Sequence, residues 1–212
     1  MAIIVEQAPN NSLGFDTNTR LNLATAKKLK SDGYHFCVRY LSKLEVERGD
    51  LTDTEVGIIM ESGLALMAVQ HPWRTFPYNN PNIKHWGPLT GAVGTQEGRR
   101  AGEHAALVGI SSGVNVWLDL EDLRHCTRQG VIDYCNNWYA AVHKAGYVPG
   151  LYVGPHVNKI VSAHDLYHCL SFKHYWSSNS NAKVAGRGFQ IAQSKWNETI
   201  HKNTPYEIQI DT

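Results

Sequence analysis

Short apolar runs alternate with helical periodicity along most of this chain, and that alternation restricts its fold more than any other feature. A strand, a helix and a second strand in succession read as a βαβ unit, which builds a parallel sheet covered by helices. Strands are expected at Ser12 to Asp16, His35 to Leu41, Leu64 to Gln70, Val114 to Glu121 and Tyr147 to Val153. Helices are expected from Asn22 to Asp32, with Gly33 just beyond, and from the Thr52-Asp53-Thr54-Glu55 capping box to Gly63. Two more are expected from about Thr95 to Val108 and from Arg128 to Lys144. His156 to Leu170 reads as a fifth helix, and Phe172 to Trp176, Phe189 to Gln193 and Tyr206 to Asp211 as the last strands. Their connections are too short or too rich in Gly, Ser and Asn for full crossover helices. Eight strands with few late helices predict an α/β fold, an irregular TIM-type barrel, formed as one domain over residues 1–212.

Alternation also sorts side chains by face. In Val116-Trp117-Leu118-Asp119-Leu120-Glu121 the residues Val116, Leu118 and Leu120 make an apolar face suited to packing on helices. Trp117, Asp119 and Glu121 make the other face, aimed at the mouth at the strand's C-terminal end, where barrel enzymes keep their chemistry. Carboxyl groups two residues apart on a strand stand roughly 6 to 7 Å apart at their Cα atoms. Glycoside hydrolysis needs such a pair, one protonated and one ionised. The same pair would also serve to cap a loop or hold an arginine.

Asp16 ends the first strand and Asp211 the last, each opposite an apolar face. Barrel closure makes those strands neighbours, so Asp16 and Asp211 are expected to meet across the mouth from Asp119 and Glu121. Four converging acids suit a developing oxocarbenium charge, and would equally suit a divalent metal. No metal and no cofactor is expected.

Sugar rings pack their C–H faces on aromatic side chains. Tyr40, Trp73, Tyr152 and Trp176 lie at or just beyond strand ends and are the candidate cleft walls. Gln70, His71 and Gln193 are candidate hydrogen-bonding neighbours of substrate, and so is Arg39 unless it pairs a helix carboxylate. The long segment from His71 to Gly94 holds Trp73, Phe76, Tyr78 and Trp86, and segments of that length inside a domain usually carry function. Gly109-Ile110-Ser111-Ser112-Gly113 spells a nucleophile elbow but runs from helix to strand, the wrong order. His164 and His168 share helical spacing without the Glu of a His-Glu-x-x-His site.

Gly14-Phe15-Asp16, Val38-Arg39-Tyr40-Leu41, Leu51-Thr52 with Glu55, Trp117 to Glu121, Gly146 to Tyr152 and Ile210-Asp211 follow one another in a family order. In this the chain resembles the glycoside-hydrolase-like family termed domain of unknown function 1906, which is similar to the glycoside hydrolase family 25 lysozymes. The resemblance implies five βα units and three final strands, and cleavage of the β-1,4 bond between N-acetylmuramic acid and N-acetylglucosamine. It implies Glu121 as general acid and Asp119 as its partner, with Asp16 and Asp211 as the first-strand and last-strand acids. Family 25 usually continues with Asn where this chain has Thr212.

A formal charge of +1 and the lack of a basic stripe argue against a nucleic-acid partner. The partner expected is peptidoglycan or a related polysaccharide, with a delivery or immunity protein in addition and a monomeric state. Met1 to Glu6 carries no basic leader and too short an apolar run for a classical signal or a membrane span. Action in the periplasm or cell wall would then need phage lysis or a secretion machine. Cys37, Cys126, Cys135 and Cys169 are spaced as free thiols rather than as a disulfide framework.

Overall fold

The computed structural model describes residues 5–42, 49–71, 89–120, 123, 126–153, 166–178 and 188–212. Seven parallel strands stand side by side in chain order: β1 (Gly14–Thr17), β2 (Phe36–Tyr40), β3 (Ala65–Gln70), β4 (Asn115–Leu120), β5 (Val148–Val153), β6 (His174–Ser177) and β7 (Ile191–Ala192). Helices α1 (Leu23–Ser31), α2 (Asp53–Ser62), α3 (Gly91–Leu107) and α4 (Arg128–Lys144) link the first five. β8 (Glu198–Ile200) and β9 (Ile208–Ile210) form an antiparallel pair. The fold is an irregular α/β barrel.

The ring closes through the C-terminus. Asp16 and Asp211 exchange two backbone hydrogen bonds of 2.9 Å in an antiparallel bridge. Just after β7, Lys195 and Thr212 exchange another two, at 2.7 and 2.9 Å. The expected neighbourhood of Asp16 and Asp211 is therefore present, but its geometry differs from expectation. β9 does not run as an eighth parallel strand; it returns beside β8, which the sequence pattern did not suggest. His201 and Asn203, at φ 53° and 61°, reverse the chain in a span too short for a parallel crossover.

Helix ends follow local chemistry. Asn22, Thr52, Thr90 and Thr127 each accept a backbone N–H of their own helix, and Gly63 closes α2 at φ +82°. Only half of the capping box forms, because the Glu55 carboxylate is engaged elsewhere. Its Oε1 accepts the Leu21 N–H and the Arg39 Nε, both at 2.8 Å. Arg39, wholly buried outside the barrel, also donates to the carbonyl oxygens of Thr17 and Gly49. It pairs a helix carboxylate and does not reach the mouth.

α3 and α4 lie against each other along a glycine stripe. A Cβ at Gly94 would fall 2.2 Å from the Tyr134 carbonyl oxygen, at Gly98 2.6 Å from that of Trp138, and at Gly102 2.5 Å from the Ala145 methyl. The outward faces of the strands, including Cys37, Val116, Leu118, Leu120 and Leu151, pack on this helix layer. Inside the ring Phe36, Val38, Val69, Trp117 and Trp176 make a second apolar cluster. Gly14 and Gly150 make room for it, since a Cβ there would meet the Phe36 and Trp117 rings at 2.1 and 2.3 Å.

All four cysteines are free thiols, and burial pushes the Cys37 thiol up to about 12. Among the described residues no helix is long and apolar enough to cross a membrane. Of the proposed fifth helix only a turn, Tyr167–Cys169, lies within the described residues, and it carries an exposed His168. His164, Phe76, Tyr78 and Trp86 lie outside them.

Candidate active site

At the C-terminal end of the parallel strands the ring opens into a recess of about 340 Å³, counting its opening to solvent. Asp16, Tyr40, Val69, Asp119, Tyr152, Trp176, Gln193 and Asp211 line it. Each reaches it by strand alternation. Asp16, Tyr40, Asp119, Tyr152 and Trp176 occupy inward positions near the ends of β1, β2, β4, β5 and β6, and Asp211 follows β9 at the seam.

The three described carboxylates are held in different ways. Asp119 is buried, and its Oδ2 is 2.9 Å from His71 Nδ1. Its Oδ1 is also buried and has no hydrogen-bond partner among the described residues. Asp16 accepts the Tyr40 hydroxyl at 3.2 Å. Asp211 has both oxygens engaged, Oδ2 by Gln193 Nε2 at 2.9 Å and Oδ1 by the Asn197 N–H at 2.6 Å. The other end of the Gln193 amide accepts the Tyr152 hydroxyl at 2.8 Å, giving a chain from Tyr152 through Gln193 to Asp211.

Burial, reinforced by the charges of Asp16, Asp119 and Asp211, holds the Tyr40 phenol well above its usual range. Its hydroxyl is a proton donor at any ordinary pH. Trp176 meets Tyr152 edge-on with ring centroids 4.9 Å apart and Trp117 at 6.0 Å. The indole N–H groups of Trp117 and Trp176 are buried without partners among the described residues. Buried polar atoms without partners are rare and call for an explanation, such as water or a ligand. Two donors and one carboxylate oxygen of this kind, in one ring interior, suit a ligand rich in hydroxyl and amide groups. Among the described residues no three His, Cys, Asp or Glu side chains are grouped to hold a metal ion.

Asp16, Asp119, Asp211, Tyr40, Tyr152, Trp176 and Gln193 thus come together, with His71 behind Asp119. Gln70 does not join them. It faces the helix layer, where its amide accepts from Trp138 Nε1 at 2.8 Å and donates to the Ser42 carbonyl at 3.3 Å. Glu121, which directly follows β4, and Trp73 lie outside the described residues. Val69 and the Asn197 N–H were not anticipated at the mouth. Alternation in β3 would allow Val69, but a backbone N–H leaves no sequence signal.

Three solved structures share the architecture. An uncharacterised B. stearothermophilus protein matches with a TM-score of 0.62 at 19% identity, over 93% of this chain and 92% of that one. The Mycobacterium tuberculosis Tat-secreted protein Rv2525c, in complex with L-tartrate, matches with 0.61 at 13%, over 93% and 91%. A muramidase from Acremonium alcalophilum matches with 0.54 at 10%, over 94% and 91%. At these identities the likeness is one of fold. No curated protein matches the sequence. A family profile does match, over residues 27–210, which is most of the chain and spans β2 through β9. This chain belongs to the Rv2525c-like, glycoside hydrolase-like domain family.

Proposed function

We propose that this protein is a cell-wall glycan hydrolase, an N-acetylmuramidase that cleaves β-1,4 bonds of peptidoglycan by carboxylate acid–base chemistry. Asp119 is the observation that carries the reading: a buried carboxylate with one oxygen held by His71 and the other without a partner among the described residues, lining a recess walled by Tyr40, Tyr152 and Trp176. A fixed anion of that kind stabilises the positive charge that develops on a sugar ring as its glycosidic bond breaks. Glu121, two residues on in the sequence, is assigned the complementary step. It gives its proton to the leaving oxygen as the C–O bond breaks, and water then completes the cleavage at the anomeric carbon. That assignment rests on the sequence pattern and the family 25 likeness.

Asp16, kept in place by the Tyr40 hydroxyl, adds negative potential at the recess. Asp211, with both oxygens occupied, acts as a positioning group that holds the rim and Gln193. Membership of a glycoside hydrolase-like family and a fold shared with the muramidase from Acremonium alcalophilum support the substrate class. A Tat-secreted protein of the same fold supports action outside the cytoplasm, in the periplasm or cell wall, by a single barrel domain.

Mass spectrometry of purified peptidoglycan after incubation with the protein tests this directly. The expected products are fragments with N-acetylmuramic acid at the new reducing end, and E121Q is expected to lower their yield by at least about 100-fold without unfolding. Fragments ending in N-acetylglucosamine would reassign the bond. Sedimentation with peptidoglycan but no fragments from the wild-type protein would falsify the hydrolase and leave a wall-binding barrel.

A further inference from the structure

The large apolar side chains left exposed are unevenly placed. Val5, Leu13, Met60 and Leu107 lie on the side where the strands begin: Leu13 directly precedes β1, Val5 lies beside Gly113 ahead of β4, and Met60 and Leu107 sit in the last turns of α2 and α3. Trp196, four residues past the end of β7, is 59% exposed, and among the described residues it is the one exposed Phe, Tyr or Trp.

Its backbone is braced from both directions. Before it, Lys195 exchanges hydrogen bonds of 2.7 and 2.9 Å with Thr212. After it, the Asn197 N–H donates to Asp211 Oδ1 at 2.6 Å, and Asn197 Oδ1 accepts from Gln209 Nε2 at 3.2 Å. The peptide group joining Trp196 to Asn197 therefore itself touches a carboxylate of the recess. An indole in water forgoes the stabilisation that burial would bring, and here it is presented from a fixed point at the rim.

We propose that Trp196 forms an outer sugar subsite: a platform on which the C–H face of a pyranose ring stacks, one or more units along the chain from the ring seated over Asp119. The protein would then hold a stretch of glycan and not a single sugar. The inference rests on the glycan-hydrolase reading of the same recess and adds a length preference to it.

The test is equilibrium titration of E121Q, used to suppress cleavage, against E121Q/W196A. Each is titrated with the N-acetylglucosamine–N-acetylmuramic acid disaccharide and with an octasaccharide of the same repeat. Loss of one stacking platform is expected to weaken octasaccharide binding about tenfold and leave the disaccharide unchanged. W196F should recover most of the loss, and W196A should melt like its parent because the side chain is exposed. Equal weakening at both lengths, or no change at either, overturns the subsite and leaves the glycan reading standing. If E121Q binds neither ligand, the glycan reading falls and the subsite falls with it.

Discussion

Tyr40 links the acids of the recess, because its hydroxyl donates to Asp16 while burial and the three carboxylate charges keep it protonated. Y40F removes one hydrogen bond to a charged group and nothing else of comparable size. A loss of about tenfold in kcat/KM on peptidoglycan is expected from that bond. The alkaline limb of the pH–rate profile should stay where it is, since this phenol does not ionise in the working range. A limb that moves in Y40F would instead make Tyr40 a titrating participant. Part of this arrangement was legible beforehand: alternation put Asp16 and Asp119 opposite the apolar faces of their strands, and Tyr152 and Trp176 were expected at strand ends. Gln70 was expected as a hydrogen-bonding neighbour of substrate, and the structure turns it toward the helix layer. The end of β3 is buried on both faces, with Ala68, Val69 and Gln70 all at 1% exposure or less, so alternation there carries no sign of inside or outside.

The elements that carry the site are locked to each other by small contacts with large consequences. On α3, G98V would force a side chain into the Trp138 carbonyl and push α3 off α4, at a cost of about 1–3 kcal/mol by chemical denaturation. The same helix holds the end of β2, where His104 Nδ1 accepts the Ser42 N–H at 2.9 Å. Burial holds that imidazole below its usual 6.5, with the Asp50 charge opposing, and His174 is lowered in the same way by burial and Lys173. The unfolded chain therefore takes up protons below about pH 6.5 that the folded protein refuses. This part of the stability is complete above that value and is lost as pH falls through the folded pKa. Thermal midpoints should drop between pH 7 and pH 5, and H104N, which keeps an acceptor for Ser42, should flatten the drop. An unchanged slope in H104N would remove His104 from the account. Element boundaries were legible where caps speak plainly, as at Thr52, Gly63 and Arg128 to Lys144. The start of α3 was not: Gly91 and Gly94 look like helix breakers, yet close approach to α4 demands a glycine where the Tyr134 carbonyl lies.

At the scale of the whole molecule the weak point is the seam. Between β1 and β7 every neighbour is a parallel partner, whereas closure depends on the Asp16–Asp211 bridge, the Lys195–Thr212 pair and the engaged Asp211 carboxylate. The sequence indicated that Asp16 and Asp211 would meet but not that the meeting would be antiparallel, because pairing direction there is set by the β8–β9 hairpin and not by either strand's own pattern. D211A would leave the Gln193 amide and the Asn197 N–H without their shared acceptor. Losing such hydrogen bonds is expected to cost about 1–3 kcal/mol. Hydrogen exchange distinguishes a local effect from a global one. If the seam opens as a unit, the backbone amides of Asp16, Thr212 and the substituted position itself should exchange faster in D211A than in the wild type by more than the change in global stability, while β2 to β5 amides follow global unfolding. Uniform acceleration across all strands would mean that the barrel unfolds as one body and that the seam has no independent opening. A seam that does open moves Gln193, and with it the hydroxyl of Tyr152, so the same variant should lose glycan affinity before it loses its fold.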